Sequence, residues 1–273
     1  MPRVTANGVD LYYEARGDGE AILGIHGTPS SALLWVDAAG ELASRGRCII
    51  YDRRGFGRSQ RVDPDDSLRL IDHVDDATGL LGALSAIPAV VIGRSTGGLI
   101  ALDLARRVPD LVRALVLLEA AVVTLDPEAT AWADGLRRKV LHAASGNPAS
   151  AAEVVVREAL GDGAWGSFPA ELQELFADGS PAVLAEIRGR GLDLSEDPLV
   201  LSDEDLGGIA QPTLLVSAKD SPDILGRVND RLVDALPNAE KVLVTGGHLI
   251  DPAHPSVLEF IDRILASVDG VDR

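Results

Sequence analysis

The chain has a single cysteine among 273 residues, aromatic side chains make up only 4% of it, and its 25 basic residues are outnumbered by 42 acidic ones. One cysteine excludes an intrachain disulfide. Cys48 lies inside the apolar run Arg47-Cys48-Ile49-Ile50-Tyr51, where a buried, inert thiol is expected. The shortage of aromatics argues against a tight aromatic cage and for an aliphatic pocket. A formal charge of -17 disfavours nucleic acid and anionic membrane surfaces as partners and suits a neutral or apolar small molecule. No stretch of 18 consecutive apolar residues occurs, and Met1-Pro2-Arg3-Val4-Thr5 carries no apolar signal region, so a soluble cytoplasmic protein is expected. There are no Cys/His clusters at ligand spacing, and no Gly-x-Gly-x-x-Gly follows a strand; neither a metal nor an organic cofactor is expected.

What is present is a run that changes character halfway. Ala89-Val90-Val91-Ile92 reads as a buried strand, Gly93-Arg94-Ser95-Thr96-Gly97 breaks it, and Gly98-Leu99-Ile100-Ala101 continues with helical spacing. Gly-x-Ser-x-Gly between a strand and a helix is the context in which a serine hydroxyl is held exposed on a sharp turn, which makes Ser95 the candidate nucleophile.

The first half alternates strand-like segments (Val9 to Glu14, Ala21 to Ile25, Cys48 to Tyr51, Val90 to Ile92, Ala114 to Leu118) with amphipathic stretches such as Asp72 to Leu84 and Leu99 to Arg107. That alternation predicts an α/β fold with a mostly parallel sheet and helices on both faces, opened by an antiparallel edge hairpin at Asn7-Gly8. Residues 122–208 read as helical without a convincing strand, an inserted helical cap dividing a core formed by 1–121 and 209–273. The strand pattern resumes at Pro212 to Ser217 and Lys241 to Thr245, and Pro255 to Val268 closes the chain as an amphipathic helix.

A serine hydroxyl needs a base, and the base needs a carboxylate to orient it. Among five histidines, His248 is the best base, because Gly246-Gly247-His248 follows directly on a strand ending at Thr245; His254 is the runner-up. His73 and His142 read as surface residues, and His26 as a loop-tying one. Asp220, just past the strand ending at Ser217, is the first choice for the carboxylate, with Asp223 behind it and Glu119 as second choice. His26-Gly27-Thr28-Pro29 follows another strand, so the Thr28 and Thr96 main-chain N–H groups are the expected oxyanion donors. Arg94, Trp35, Trp132 and Trp165 are the substrate-binding candidates. The Arg94 guanidinium either reaches a substrate carboxylate or carbonyl oxygen or pairs with one of the chain's many acids.

The His26-Gly27-Thr28-Pro29 loop, the Asp52-Arg53-Arg54-Gly55-Phe56-Gly57-Arg58-Ser59 loop, the Gly93-Arg94-Ser95-Thr96-Gly97-Gly98 turn, Asp220 and Gly247-His248 together resemble the α/β-hydrolase fold superfamily, in its serine hydrolase branch with a helical cap. The resemblance covers essentially the whole chain. It implies an eight-stranded sheet with the catalytic groups at strand C-termini and the cap roofing the pocket. The superfamily includes carboxylesterases, lactonases, carbon–carbon bond hydrolases of ring-cleavage products and cofactor-free perhydrolases. Its dehalogenases and epoxide hydrolases use aspartate where this chain has Ser95. The expectation is therefore a Ser-His-Asp hydrolase acting on a small or medium, largely apolar carboxylic ester or lactone. The rivals are a carbon–carbon hydrolase and a non-hydrolytic binding or biosynthetic protein of the same fold. The sequence is compatible with a homodimer.

Overall fold

A computed structural model describes residues 2–269. The chain opens with β1 (Arg3–Ala6) and β2 (Val9–Arg16), an antiparallel hairpin turned by Asn7 and Gly8, both at positive φ. It continues with β3 (Ala21–Ile25), α1 (Val36–Leu42), β4 (Arg47–Tyr51), α2 (Leu70–Ala83), β5 (Ala89–Arg94), α3 (Thr96–Arg107) and β6 (Val112–Leu118). A helical insert follows, comprising α4 (Pro127–Gly146), α5 (Ala151–Leu160), α6 (Asp162–Ser167), α7 (Ala170–Ala177) and α8 (Ser180–Ile187). The short α9 (Asp203–Gly207) leads back to β7 (Thr213–Ala218), α10 (Asp223–Ala235), β8 (Ala239–Val244) and α11 (Pro255–Asp269).

The eight strands lie in the order β1-β2-β4-β3-β5-β6-β7-β8, and all pairings from β4 onward are parallel. Every residue of β3, β5 and β7 is buried, the expected consequence of covering a parallel sheet on both sides. Period-2 alternation divides the strands cleanly. Val90, Ile92, Ala114 and Val116 face α1 and α11; Val91, Leu115 and Leu117 face α2, α3 and α10. Cys48 is buried at 1% exposure, and that burial pushes its thiol up to about 12, where it is unreactive.

Two features position the site. From β3 the chain steps one way to β4 and then returns to the other side of β3 for β5, so the C-terminal ends of β3 and β5 meet where the winding reverses, the place where open α/β sheets hold ligands. The insert leaves from the end of β6, also on this rim. Ala129, Leu136 and Val140 of α4, Val155 of α5, and Val183 and Leu184 of α8 belong to the same apolar cluster as α2 and α3. A separate small cluster, Val156, Trp165 and Phe176, lies within the insert. Within the insert the sequence pattern marks helices at Pro127 to Ala144, Ala149 to Leu160, Pro169 to Phe176 and Pro181 to Arg190, so the structure adds α6 and α9, and beyond the insert α10; α9 lies in the acid-rich tail of the insert, where Ser202 and Asp205 cap each other's backbone.

Candidate active site

Ser95 sits between β5 and α3 at φ 55° and ψ -124°, a left-handed conformation that L-residues adopt only where the surroundings enforce it. The enforcement is local. Ser95 N–H donates to Leu118 O of the neighbouring strand (3.1 Å), and Ser95 O accepts from Gly98 and Ala121 N–H. A side chain at Gly93 would lie 2.3 Å from Gly97 O, and one at Gly97 would lie 2.2 Å from Ile25 O, so both glycines are required by close backbone approach. The turn thus keeps the Ser95 side chain half-buried on the rim of the sheet, where it lines a cavity of about 60 Å³ with Gly27, Thr28, Arg94, Trp132, Leu136, Val155, Asp193, Leu194 and His248.

His248, 7% exposed, follows β8 on the Gly246-Gly247 loop. Its Nδ1 is 2.7 Å from Glu119 Oε2. Glu119 is fully buried at the end of β6, at φ 49°, and accepts two further hydrogen bonds, from Ala218 N–H (2.8 Å) and from the Ser221 hydroxyl (2.7 Å). The carboxylate therefore dictates the tautomer: Nδ1 carries the proton and donates it to Glu119, leaving the Nε2 lone pair available. Asp220, first choice from sequence, does not occupy this position. Its side chain is exposed, its N–H is spent on Gly246 O (2.9 Å), and the space under the imidazole is filled by Glu119. The adjacent ends of β6 and β7 both deliver an acid, and the longer glutamate, tucked beneath β7, is the one that reaches. A signal for this existed in the chain: Glu119 interrupts the apolar run from Ala114 to Val123, whereas Asp220 lies in the hydrophilic Lys219-Asp220-Ser221-Pro222-Asp223.

On the opposite side of Ser95, the main-chain N–H groups of Thr28 and Thr96 make no hydrogen bond among the described residues. Thr96 opens α3, where the helix dipole adds its favourable end to any developing negative charge. The Thr28 loop is fixed by a buried network that sequence reasoning missed. Thr28 Oγ1 donates to Glu186 Oε2 of α8 (2.7 Å), Arg53 Nη1 donates to Glu186 Oε1 (2.7 Å), and Arg53 Nη2 donates to Gly27 O (3.1 Å) and Thr28 Oγ1 (2.5 Å). Arg53 and Glu186 are 0% and 3% exposed, and the guanidinium stacks 4.6 Å over Phe56. Burial pushes the Glu186 carboxyl up, but the Arg53 charge, His73 and the Thr28 hydroxyl outweigh it and bring it down to about 2. His26 ties this loop to the next: Arg53 N–H donates to His26 Nε2 (2.9 Å), which leaves Nδ1 to donate to Gly27 O (2.8 Å). Burial and the neighbouring Arg53 hold its pKa well below the usual range, so the ring is neutral. His73, expected at the surface, is buried with Nε2 3.2 Å from Glu186 Oε1.

The four substrate-binding candidates separate. Trp132 lines the cavity. Trp35 does not; it packs against Gly24 on the α1 face of the sheet. Trp165 is buried in the insert, with ring centroids 6.5 Å from Phe168 and 6.3 Å from Phe176, and belongs to a packing cluster. Arg94 borders the cavity, but its guanidinium is turned against Trp35 (5.5 Å) and donates to Ile250 O (3.3 Å). Among the described residues it forms no ion pair within 4 Å; the acid that acts on it is Asp251, and burial brings the guanidinium down to about 10 against that opposing charge. A smaller hollow of about 40 Å³ shares Thr28, Val155 and His248 with the cavity and extends it toward Leu160 and Phe176. Among the described residues, no cluster of His, Cys, Asp and Glu is arranged to hold a metal ion, and no helix is long and apolar enough to cross a membrane.

Comparison with known proteins agrees with this fold. "Putative carbamate hydrolase RutD" of Variovorax paradoxus (strain S110) is 31% identical over 274 residues, covering 94% of this chain and 97% of that protein. A thermophilic esterase from Thermogutta terrifontis superposes with a TM-score of 0.73 at 23% identity, covering 99% of both chains. Est816, described as an N-acyl homoserine lactone degrading enzyme, does so with a TM-score of 0.70 at 24% identity, covering 97% of this chain and 99% of that one. The alpha/beta hydrolase fold family matches residues 20–251. With that match over most of its length and a strained serine turn at the reversal of its sheet, the chain belongs to the alpha/beta hydrolase fold family.

Proposed function

We propose that the protein is a serine hydrolase that cleaves a small carboxylic ester or lactone through an acyl-enzyme on Ser95. The observation that carries this reading is the convergence of Ser95, His248 and the unpaired Thr28 N–H on one cavity, with Glu119 fixing the imidazole from below. His248 Nε2 takes the Ser95 proton as Oγ attacks the substrate carbonyl. The tetrahedral oxyanion accepts hydrogen bonds from Thr28 and Thr96 N–H. His248 then passes its proton to the leaving oxygen, while the Glu119 carboxylate balances the imidazolium charge; water completes the cycle by the same proton path.

The cavity, lined by Ala121, Val123, Leu136, Val155 and Leu194, suits a short, largely apolar acyl group. The helical insert acts as the cap that closes it. The esterase and lactonase descriptions of the structural neighbours support an oxygen ester, and the carbamate hydrolase name of the relative supports a compact acyl group. Release of p-nitrophenol from a series of acyl esters tests the proposal. Wild type is expected to turn over the shortest esters fastest, and Ser95→Ala to lose at least ~10⁴-fold in kcat with little change in Tm. A folded wild-type protein inert across the series would reject the esterase reading.

A further inference from the structure

Among the described residues, Asp193 is the one carboxyl that lines the cavity. It lies in the loop between α8 and α9, half-buried, on the wall that also carries Ser95 and Thr28. Other buried carboxylates of the protein are well supplied with donors: Glu119 has three, and Glu186 has Arg53 and Thr28. Among the described residues, no hydrogen bond from a charged side chain or from another residue's main chain reaches Asp193. Its donors are neutral ones, its own N–H and the buried Thr96 hydroxyl.

The charged groups around it give little help. Glu186 on α8 repels it, Arg53 attracts it from the loop after β4, and Arg94 and His248 lie elsewhere on the cavity wall. Burial and the Glu186 charge together push its carboxyl up to about 6. A half-desolvated carboxylate on a reactive cavity, with no charged donor, is costly unless something that binds there supplies a further hydrogen bond.

The side of the cavity identifies what supplies it. The leaving oxygen must receive its proton from His248, and the smaller hollow that continues from His248 toward Leu160 and Phe176 touches neither Ser95 nor Asp193. Placing the leaving group in that hollow puts Asp193, on the main cavity, on the acyl side.

We infer that Asp193 is a substrate-recognition residue, and that the preferred substrates are esters or lactones whose acyl group carries a hydrogen-bond donor, a hydroxyl or an amide N–H, for the Asp193 carboxylate. The inference rests on the acyl-enzyme reading above.

The experiment compares p-nitrophenyl butanoate with its 2-hydroxy and 3-hydroxy counterparts, as ratios of kcat/KM, in wild type, Asp193→Leu and Asp193→Asn. At pH 8, wild type is expected to favour one hydroxyacyl ester by ~10-fold or more, as a hydrogen bond to a charged group allows. The ratio should fall as the pH drops through about 6 and the carboxyl takes up its proton. In Asp193→Leu the ratio should collapse to near one. Asp193→Asn, which keeps an acceptor but cannot ionise, should show a smaller ratio that no longer changes with pH, and it carries the test if the leucine variant does not fold. A wild-type ratio near or below one for both hydroxy esters, or a ratio unchanged in Asp193→Leu, overturns the inference. If no ester is turned over at all, NMR titration of Ser95→Ala with 3-hydroxybutyramide and butyramide separates the two ideas. Tighter binding of the hydroxyamide, lost on adding Asp193→Leu, keeps the recognition role and rejects only the hydrolase reading; equal binding rejects both.

Discussion

Two buried carboxylates stand on opposite sides of Ser95, and they are held by different means. Glu119 comes from the sheet, at the end of β6, and its partners are a strand N–H, a hydroxyl and an imidazole. Glu186 comes from the helical insert and faces a full opposite charge, Arg53, in a dry environment. In the proposed mechanism the sheet side orients a base that must change its charge during turnover, so its acid is held by neutral donors and remains free to respond. The insert side fixes a loop that must not move, and a buried ion pair with a threonine clamped between its partners does that. On that proposal one carboxylate serves chemistry and the other serves position.

Substitutions that break the comparison should differ in kind as well as size. Glu119→Gln keeps the shape but removes the charge that compensates the imidazolium and permits the wrong tautomer; kcat is expected to fall by ~10³–10⁴-fold with KM little changed. Steady-state kinetics on the best p-nitrophenyl ester checks this, and a loss below tenfold would return the search for the acid to other residues. Glu186→Gln should instead act first on stability, because it leaves Arg53 buried without its counter-charge. A loss of ~3–5 kcal/mol is expected, read as a fall in denaturation midpoint.

The same pair sets an acid limit. The Glu186 carboxyl lies at about 2 in the folded protein, below its ordinary value of 4.5, so its contribution is complete above pH 4.5 and is lost as pH falls toward 2. Wild type should lose this increment on acidification, and Glu186→Gln should lack that limb. Asp193 has the opposite sign. Its carboxyl is raised from 3.8 to about 6, so the folded state holds its proton more tightly and stability rises as pH falls from 6 toward 4. Asp193→Asn should therefore be more stable than wild type above pH 6, by at most ~3 kcal/mol, with the advantage vanishing near pH 4. Thermal melts across this range decide it. The smallest effect belongs to Asp220→Asn, expected within twofold of wild type in kcat/KM, because its exposed side chain contacts none of the site; a large loss there would reinstate it as the acid.

The fold was legible because its signals are periodic. Buried strands alternating with amphipathic helices predict the parallel sheet, and Gly93 and Gly97 around Ser95 mark a turn that no other residue tolerates. His248 was legible because a Gly-Gly pair after a strand leaves one side chain to project. The choice between Glu119 and Asp220 was not, since both follow strands, and which acid passes beneath its neighbour depends on side-chain length and on the turn at Glu119. The insert side was harder still. Arg53, His73 and Glu186 are charged or polar residues in helices and loops, where solvent exposure is the ordinary expectation. Only their meeting across more than a hundred residues of chain makes them interior. The aromatics failed for a related reason: Trp35 and Trp165 are large enough to be needed for packing before they are free for recognition.

The insert also shares its apolar interior with the sheet, with α4, α5 and α8 in one cluster with α2 and α3. A roof built this way does not swing like a door on a hinge, because lifting it would expose the interior of the whole molecule. Amide hydrogens in α4 and α8 are accordingly expected to exchange with solvent on the timescale of global unfolding, together with those of β5, as native-state hydrogen exchange would read. Passage of small molecules is left to side-chain rearrangement at the rim, where Leu249 stands 43% exposed beside the cavity.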